Sequence, residues 1–237
     1  MKFNVLTIFP EIINDYCGKS ILGRAQKAGV IKVTTTNFRD HTFNKQMHVD
    51  DSPYGGGAGM VLSAEPILRA LETVERSKKS KFIILSAKGK QFNQKMAYDW
   101  SKKYDQLILI SGRYEGIDER VKTALRAEEV SIGPFVLTDG DVAAMAVISA
   151  VARLLPGALG NVESLNEETF NQKSEIRNTK SETNSKLKKS KSKTPKLEIG
   201  NWKLEISREY PHYTRPEVLE YKGKNYRVPK VLLSGDH

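Results

Sequence analysis

The sequence predicts an α/β protein with a mainly parallel sheet and helices on both faces. Three observations carry this: short apolar runs recur at strand length, helical periodicity fills the stretches between them, and glycine-containing loops follow three of the runs. The 237 residues, 39% of them hydrophobic, can bury one sizeable core or two modest ones.

Residues 3–9 read as a buried strand, followed by Pro10 and a helical stretch through Ile12, Ile13 and Tyr16. Ser63 is placed to cap a helix whose apolar positions Ile67, Leu68, Leu71 and Val74 keep the three-to-four spacing. The run 82–85 is the next strand, and residues 90–102 supply another helix. Residues 107–110 form a third apolar run, and after an acidic-rich helix residues 129–132 form a fourth. The longest helix is expected over 141–155, stopped by Pro156. Residues 1–162 thus read as one domain. Beyond Gly160 the texture turns polar, and residues 163–200 read as a polar and basic linker or insertion, disordered in part. KLEI occurs twice, at 196–199 and 203–206, too few copies for a repeat architecture. The tail from 210 to 237 is too small for an independent core and must lean on the first domain or on a second chain.

Composition excludes several classes. The longest apolar stretch, 142–152, is too short for a bilayer, and the residues before Pro10 and Glu11 lack a secretory apolar region. Cys17 is the single cysteine, so no intrachain disulfide forms, and His41, His48, His212 and His237 have no zinc-type spacing. A cytoplasmic chain with no metal-ligating residues is expected. The net charge of +10 is uneven: residues 171–196 hold nine Lys/Arg against two acids, while the rest of the chain is nearly balanced. That run reads as a solvated linker, as an RNA arm, or as both, because a mobile basic tether raises encounter with a polyanion without conferring specificity.

Three predicted strands end in glycine-containing loops: LSAKG (85–89), SGRYEG (111–116) and SIGPFVLTDGD (131–141). Ligands of parallel α/β sheets bind outside the carboxyl ends of the strands, so the three loops can share one pocket. Neither GxGxxG after the first strand nor GxxxxGK[ST] occurs, which removes the dinucleotide fingerprint and the P-loop. SPYGGGAGM (52–60) differs in kind: Gly55, Gly56 and Gly57 let a ligand or another backbone approach closely.

NFRDHTF (37–43), VDDSPYGGGAGM (49–60), SGRYEGIDERV (111–121), SIGPFVLTDGD, AVARLLPGALGN (150–161), PHYTRPEV (211–218) and LLSGDH (232–237) together resemble the bacterial TrmD family. These are tRNA (guanine-N1)-methyltransferases acting at position 37. The match runs in order over about residues 1 to 170 and 209 to 237. It implies a SPOUT-type parallel sheet closed by a deep trefoil knot, and a small, mainly helical C-terminal tRNA-binding domain that is only partial here. Ordinary chain topology argues against knots, so that expectation rests on resemblance alone.

The resemblance further implies S-adenosylmethionine as cofactor, magnesium as an assisting ion, tRNA as partner and a homodimer with the active site at the subunit interface. The cofactor positions would be Leu85, Ser86, Gly112, Tyr114, Glu115, Ser131, Ile132, Gly133, Leu137 and Gly140. Substrate positions would be Asp51, Tyr54, Gly55, Gly57, Glu209 and His212. Glu115 could engage the cofactor's ammonium or pair with Arg113 or Arg120. The catalytic pair would be Glu168 as general base at guanine N1 and Arg153 stabilising charge at O6. The family usually has Asp where this chain has Glu168, within NEETF (166–170), and Glu167 competes for the role. Asp139 stands where the family usually has glycine. Two other readings remain open: a SPOUT methyltransferase acting on another RNA atom, and a non-catalytic tRNA-binding protein.

Overall fold

The computed structural model describes residues 1–53, 59–160, 196–199, 202–205, 217–221, 224–227 and 230. The chain divides into two compact units, Met1–Val162 and Glu163–His237.

In chain order the first unit runs β1 (Lys2–Thr7), α1 (Pro10–Cys17), α2 (Ser20–Lys27), β2 (Lys32–Asn37), a 3-10 turn (Phe38–His41), β3 (Asp50–Asp51), β4 (Val61–Leu62), α3 (Ala64–Glu72), β5 (Ser80–Gln91), α4 (Gln94–Lys103), β6 (Gln106–Ser111), α5 (Glu119–Leu125), β7 (Glu128–Ser131) and α6 (Asp141–Ala152). Five strands form one sheet in the order β2-β1-β6-β5-β7, and every pairing in it is parallel.

The sheet is covered on both faces, which explains why β6 reads as an unbroken apolar run. Leu107 and Leu109 point into a core with Phe3 and Val5 of β1, Ile13 of α1, Trp100 of α4, and Val147 and Val151 of α6. Ile108 and Ile110, one residue out of phase, point into a second core with Leu6, Phe38, Ile67, Leu71 and Val121 beneath α3 and α5.

Several boundaries differ from expectation for local reasons. β5 does not stop at Leu85: its register with β7 breaks between Leu85 and Lys90 and then resumes, so the predicted strand-end loop 85–89 is an irregularity inside a twelve-residue strand. Gly89 is required there, because a Cβ would lie 2.4 Å from the backbone nitrogen of Val130. As a result α4 starts at Gln94 rather than Lys90, capped by the Asn93 side chain, which accepts from the Met96 N–H at 3.0 Å. Ser63 occupies the N-cap of α3 but makes no side-chain capping bond. α6 ends at Ala152, and residues 153–155 continue as tighter turns ahead of Pro156.

The described strands of the second unit form two antiparallel hairpins, β8 (Lys196–Ile199) with β9 (Trp202–Glu205) and β10 (Val218–Tyr221) with β11 (Lys224–Arg227). The first KLEI segment is therefore one arm of a hairpin. The basic run up to residue 195, and most of the segment expected to be helical, lie outside the described residues.

Candidate active site at the carboxyl ends of the strands

β5, β6 and β7 deliver three segments to one end of the sheet, and these enclose a cavity of about 380 Å³. Leu85 and Ser86 come from β5, Gly112 to Gly116 from the loop after β6, and Ser131 to Gly140 from the loop after β7. The last two are tied together: the Gly140 N–H donates to the Gly112 carbonyl at 2.8 Å. The loop after β6 turns sharply, with Tyr114 held at a left-handed φ of 57° and Gly116 at φ 137°. A non-glycine residue held there marks a backbone fixed by its surroundings.

Nine of the ten positions expected to hold a cofactor line this cavity: Leu85, Ser86, Gly112, Tyr114, Glu115, Ser131, Ile132, Leu137 and Gly140. Gly133 does not line it. Its N–H donates to the Ser131 hydroxyl oxygen at 3.2 Å, its carbonyl accepts from the same hydroxyl at 2.8 Å, and the Phe135 ring fills the space a Cβ would need. Gly133 thus shapes the turn.

The wall also contains charged groups that sequence reading did not assign. Lys88 and Lys122 bridge Glu119 and Glu129 at 2.7 to 3.3 Å, fixing β5, α5 and β7 to one another. Hydrogen bonds from Lys122 and Lys88 hold the Glu129 carboxyl below its ordinary range even though burial pushes it upward. A hydrogen bond to Glu129, opposed by burial, raises Lys88. Arg113 lies between two carboxylates, 3.3 Å from Asp139 and 3.4 Å from Asp141, with its guanidinium over the Phe9 ring at 4.4 Å. Glu115 does not pair with Arg113, and Arg120 pairs with Asp118.

The remaining expected site residues fall elsewhere. Asp51 is exposed on β3, accepts from the Ser52 N–H at 2.7 Å and is not part of the cavity wall. Its hairpin is nonetheless adjacent: the Glu115 N–H donates to the Met60 carbonyl, and the Leu62 N–H to the Gly116 carbonyl. Arg153 is the half-buried C-cap of α6, one helix length from Asp141, about 18 Å by helical rise. Tyr54, Gly55, Gly57, Glu168, Glu209 and His212 lie outside the described residues. No helix among the described residues is long and apolar enough to cross a membrane.

Fold and cavity define a parallel α/β protein with a cavity at the carboxyl edge of its sheet, where ligands of such sheets bind. A family model described as tRNA (Guanine-1)-methyltransferase TrmD matches residues 1–208. The chain belongs to this family. Similar proteins include a tRNA (guanine-N(1)-)-methyltransferase of Carboxydothermus hydrogenoformans, 42% identical over the whole chain and 78% of the relative. Relatives of the same description come from Clostridium perfringens strain SM101, 40% identical over the whole chain and 84% of the relative, and from Desulfitobacterium hafniense, 44% identical over the whole chain and 76% of the relative.

Proposed function

We propose that this chain is an S-adenosylmethionine-dependent methyltransferase that methylates N1 of guanosine 37 in tRNA, acting as a cytoplasmic homodimer. The observation that carries the reading is the three-segment cavity, lined by nine of the ten positions at which the family pattern holds its cofactor.

The residues present fit that cofactor. The cavity is in the size range of small-molecule sites, Leu85, Ile132 and Leu137 supply apolar wall, and Ser86, Tyr114 and Glu115 supply polar groups. Leu85, Ser86, Gly112, Tyr114, Glu115, Ser131, Ile132, Leu137 and Gly140 would hold it, with Gly133 shaping the last loop. Bound there, the cofactor supplies a methyl group on a cationic sulfur.

Guanine N1 carries a proton at neutral pH, so its lone pair becomes available only as that proton leaves and charge moves to O6. Glu168 accepts the proton as general base. Arg153 donates to O6, where negative charge accumulates, and so stabilises the transition state more than the ground state. With that proton held by Glu168, the N1 lone pair would be free to take the methyl group that the bound cofactor would supply. Glu168 is one methylene longer than the aspartate usual in the family, a difference in reach of about 1.5 Å that bears directly on rate.

The homodimer reading is supported by the span of α6, which separates Arg153 from the cavity within one subunit, and by exposed apolar side chains at Tyr114, Phe135, Val136, Leu137 and Val142 around the cavity. The knotted topology is supported by the parallel order of β6, β5 and β7 and by the backbone hydrogen bond that joins the last two loops at Gly112 and Gly140. Asp51, Tyr54, Gly55 and Gly57 are proposed to contact the RNA, with Glu209 and His212 from a tRNA-binding region at 201–237, reached through the linker 163–200. Phosphate contacts from the basic run would position the RNA, and the guanine must leave its stack to be read. Among the described residues no three His, Cys, Asp or Glu side chains converge on a metal position.

Methyl transfer from labelled cofactor to tRNA transcripts bearing G or A at position 37 tests the reading. It expects 1-methylguanosine at 37 in the first transcript only, and loss of at least a hundredfold in kcat for Glu168→Gln. A 2′-O-methyl product, or activity retained by Glu168→Gln, would overturn it.

A further inference from the structure

The wall of the cavity carries a charge that its neighbours do not cancel. Lys88 and Lys122 balance Glu119 and Glu129, Arg120 pairs with Asp118, and Glu115 is a further carboxylate of the lining, exposed to solvent. Arg113, in contrast, is a single guanidinium shared by two carboxylates, Asp139 and Asp141, whose side chains are 13% and 0% exposed. The group is visibly short of partners, because Asp141 Oδ1 and Arg113 Nε are buried without a hydrogen bond. One negative charge is therefore left in a poorly solvated wall, an arrangement that is costly unless something positive is brought to it.

Asp139 is the member of the trio that faces the cavity, together with Arg113. Its position is fixed from three sides: Oδ1 accepts from the Asp141 N–H at 2.9 Å at the start of α6, and Oδ2 accepts from the Thr138 hydroxyl at 3.1 Å and from Arg113. A carboxylate held this way cannot swing away when a ligand arrives, so its charge acts on whatever occupies the site.

We propose that Asp139 is a specificity residue that makes the cavity prefer the cationic methyl donor over its neutral thioether product. This rests on the cofactor reading above. S-adenosylmethionine carries one net positive charge, from its sulfonium and ammonium against its carboxylate; S-adenosylhomocysteine, which keeps the carbon–sulfur electron pair after transfer, carries none. The uncompensated charge of the trio attracts the first and is indifferent to the second. The favourable interaction present on binding is lost at the instant of methyl transfer, which speeds departure of the product.

Calorimetric titration of the full chain with each of the two compounds tests this, using wild type, Asp139→Asn and Asp139→Ser. The asparagine keeps an oxygen for the Asp141 N–H and removes only the charge; the serine is a second variant with a shorter capping oxygen. Removing one charge from the cavity wall should weaken S-adenosylmethionine about fivefold and leave S-adenosylhomocysteine within about twofold. Equal weakening of both compounds would reduce Asp139 to a structural cap, and unchanged affinity for both compounds in both variants would mean that its charge does not act on the ligand. Either result overturns the proposal while leaving the cofactor reading intact. If neither compound binds folded wild-type protein, the cofactor reading itself falls.

Discussion

Gly140 and Gly112 meet backbone to backbone: the N–H of the first donates to the carbonyl of the second at 2.8 Å, and a Cβ on Gly140 would lie 2.8 Å from the Gly112 nitrogen and 3.0 Å from the Ser111 Cα. The contact leaves no room for any side chain, and the obstructing atoms are backbone. It sets how closely two walls of the cavity approach.

Gly140→Ala should therefore force the two loops apart. The expected cost is about 2 kcal/mol, typical of an added methyl group in a packed site. Thermal unfolding should show a drop of several degrees, and S-adenosylmethionine titration a loss of about tenfold in affinity. Unchanged affinity in a destabilised variant would detach this crossing from ligand binding.

Gly59 sits at φ 83°, and a Cβ there would lie 2.6 Å from both Cγ and Oε1 of Glu115. Gly59→Ala combines left-handed strain of about 1 kcal/mol with that collision. Adding Glu115→Ala should recover the collision part of the stability loss and leave the strain. A double-mutant cycle on melting temperature should then give a coupling of about 1 kcal/mol, whereas additivity would show that the two side chains do not press on each other.

The Lys88–Glu119–Lys122–Glu129 network gives stability a pH dependence whose sign is fixed. Hydrogen bonds from the lysines hold Glu119 and, against its burial, Glu129 below the usual 4.5. Groups with depressed folded-state values stabilise the native state above their unfolded value and cease to do so as pH falls through the folded one. Melting temperature should therefore decline from about pH 5 downward. Glu129→Gln should melt lower at pH 7 and show a shallower acid limb. Parallel acid limbs for the two proteins would dissociate the network from acid sensitivity.

Cys17 is buried, and that burial pushes its thiol up to about 11 from the usual 9.0. The neutral thiol is the species that fits the core, so its contribution is complete below pH 9.0 and disappears as pH rises through about 11. At pH 8, Ellman's reagent should react with folded protein at a small fraction of the rate seen in guanidinium. Comparable rates would show that the α1 side of the core opens readily.

The alternation of strand and helix was legible because the sheet is buried on both sides: the middle of β6 needed apolar residues facing both ways, and LILI announces that. β2 escaped notice because an edge strand answers to a weaker constraint, and its KVTTTN is only partly buried. The extension of β5 past Leu85 was equally hidden, since Ser86 to Gln91 are mostly polar and join β7 through a register break that no periodicity records. Loop motifs located the cavity, yet its charges did not declare themselves. Arg113 and Asp139 are 26 positions apart, and only the folding of two loops against one another makes them neighbours.

The placement of β1 between β2 and β6 also bears on how the chain is made. β1 pairs with β2 at Lys2↔Lys32, within the first forty residues, but its other partner begins at Gln106, and β7 must follow before β5 has both neighbours. A ribosome therefore releases more than a hundred residues while β1 still has one bare edge. Slowing translation over that interval should leave the nascent segment dependent on chaperones until β6 emerges to close the gap.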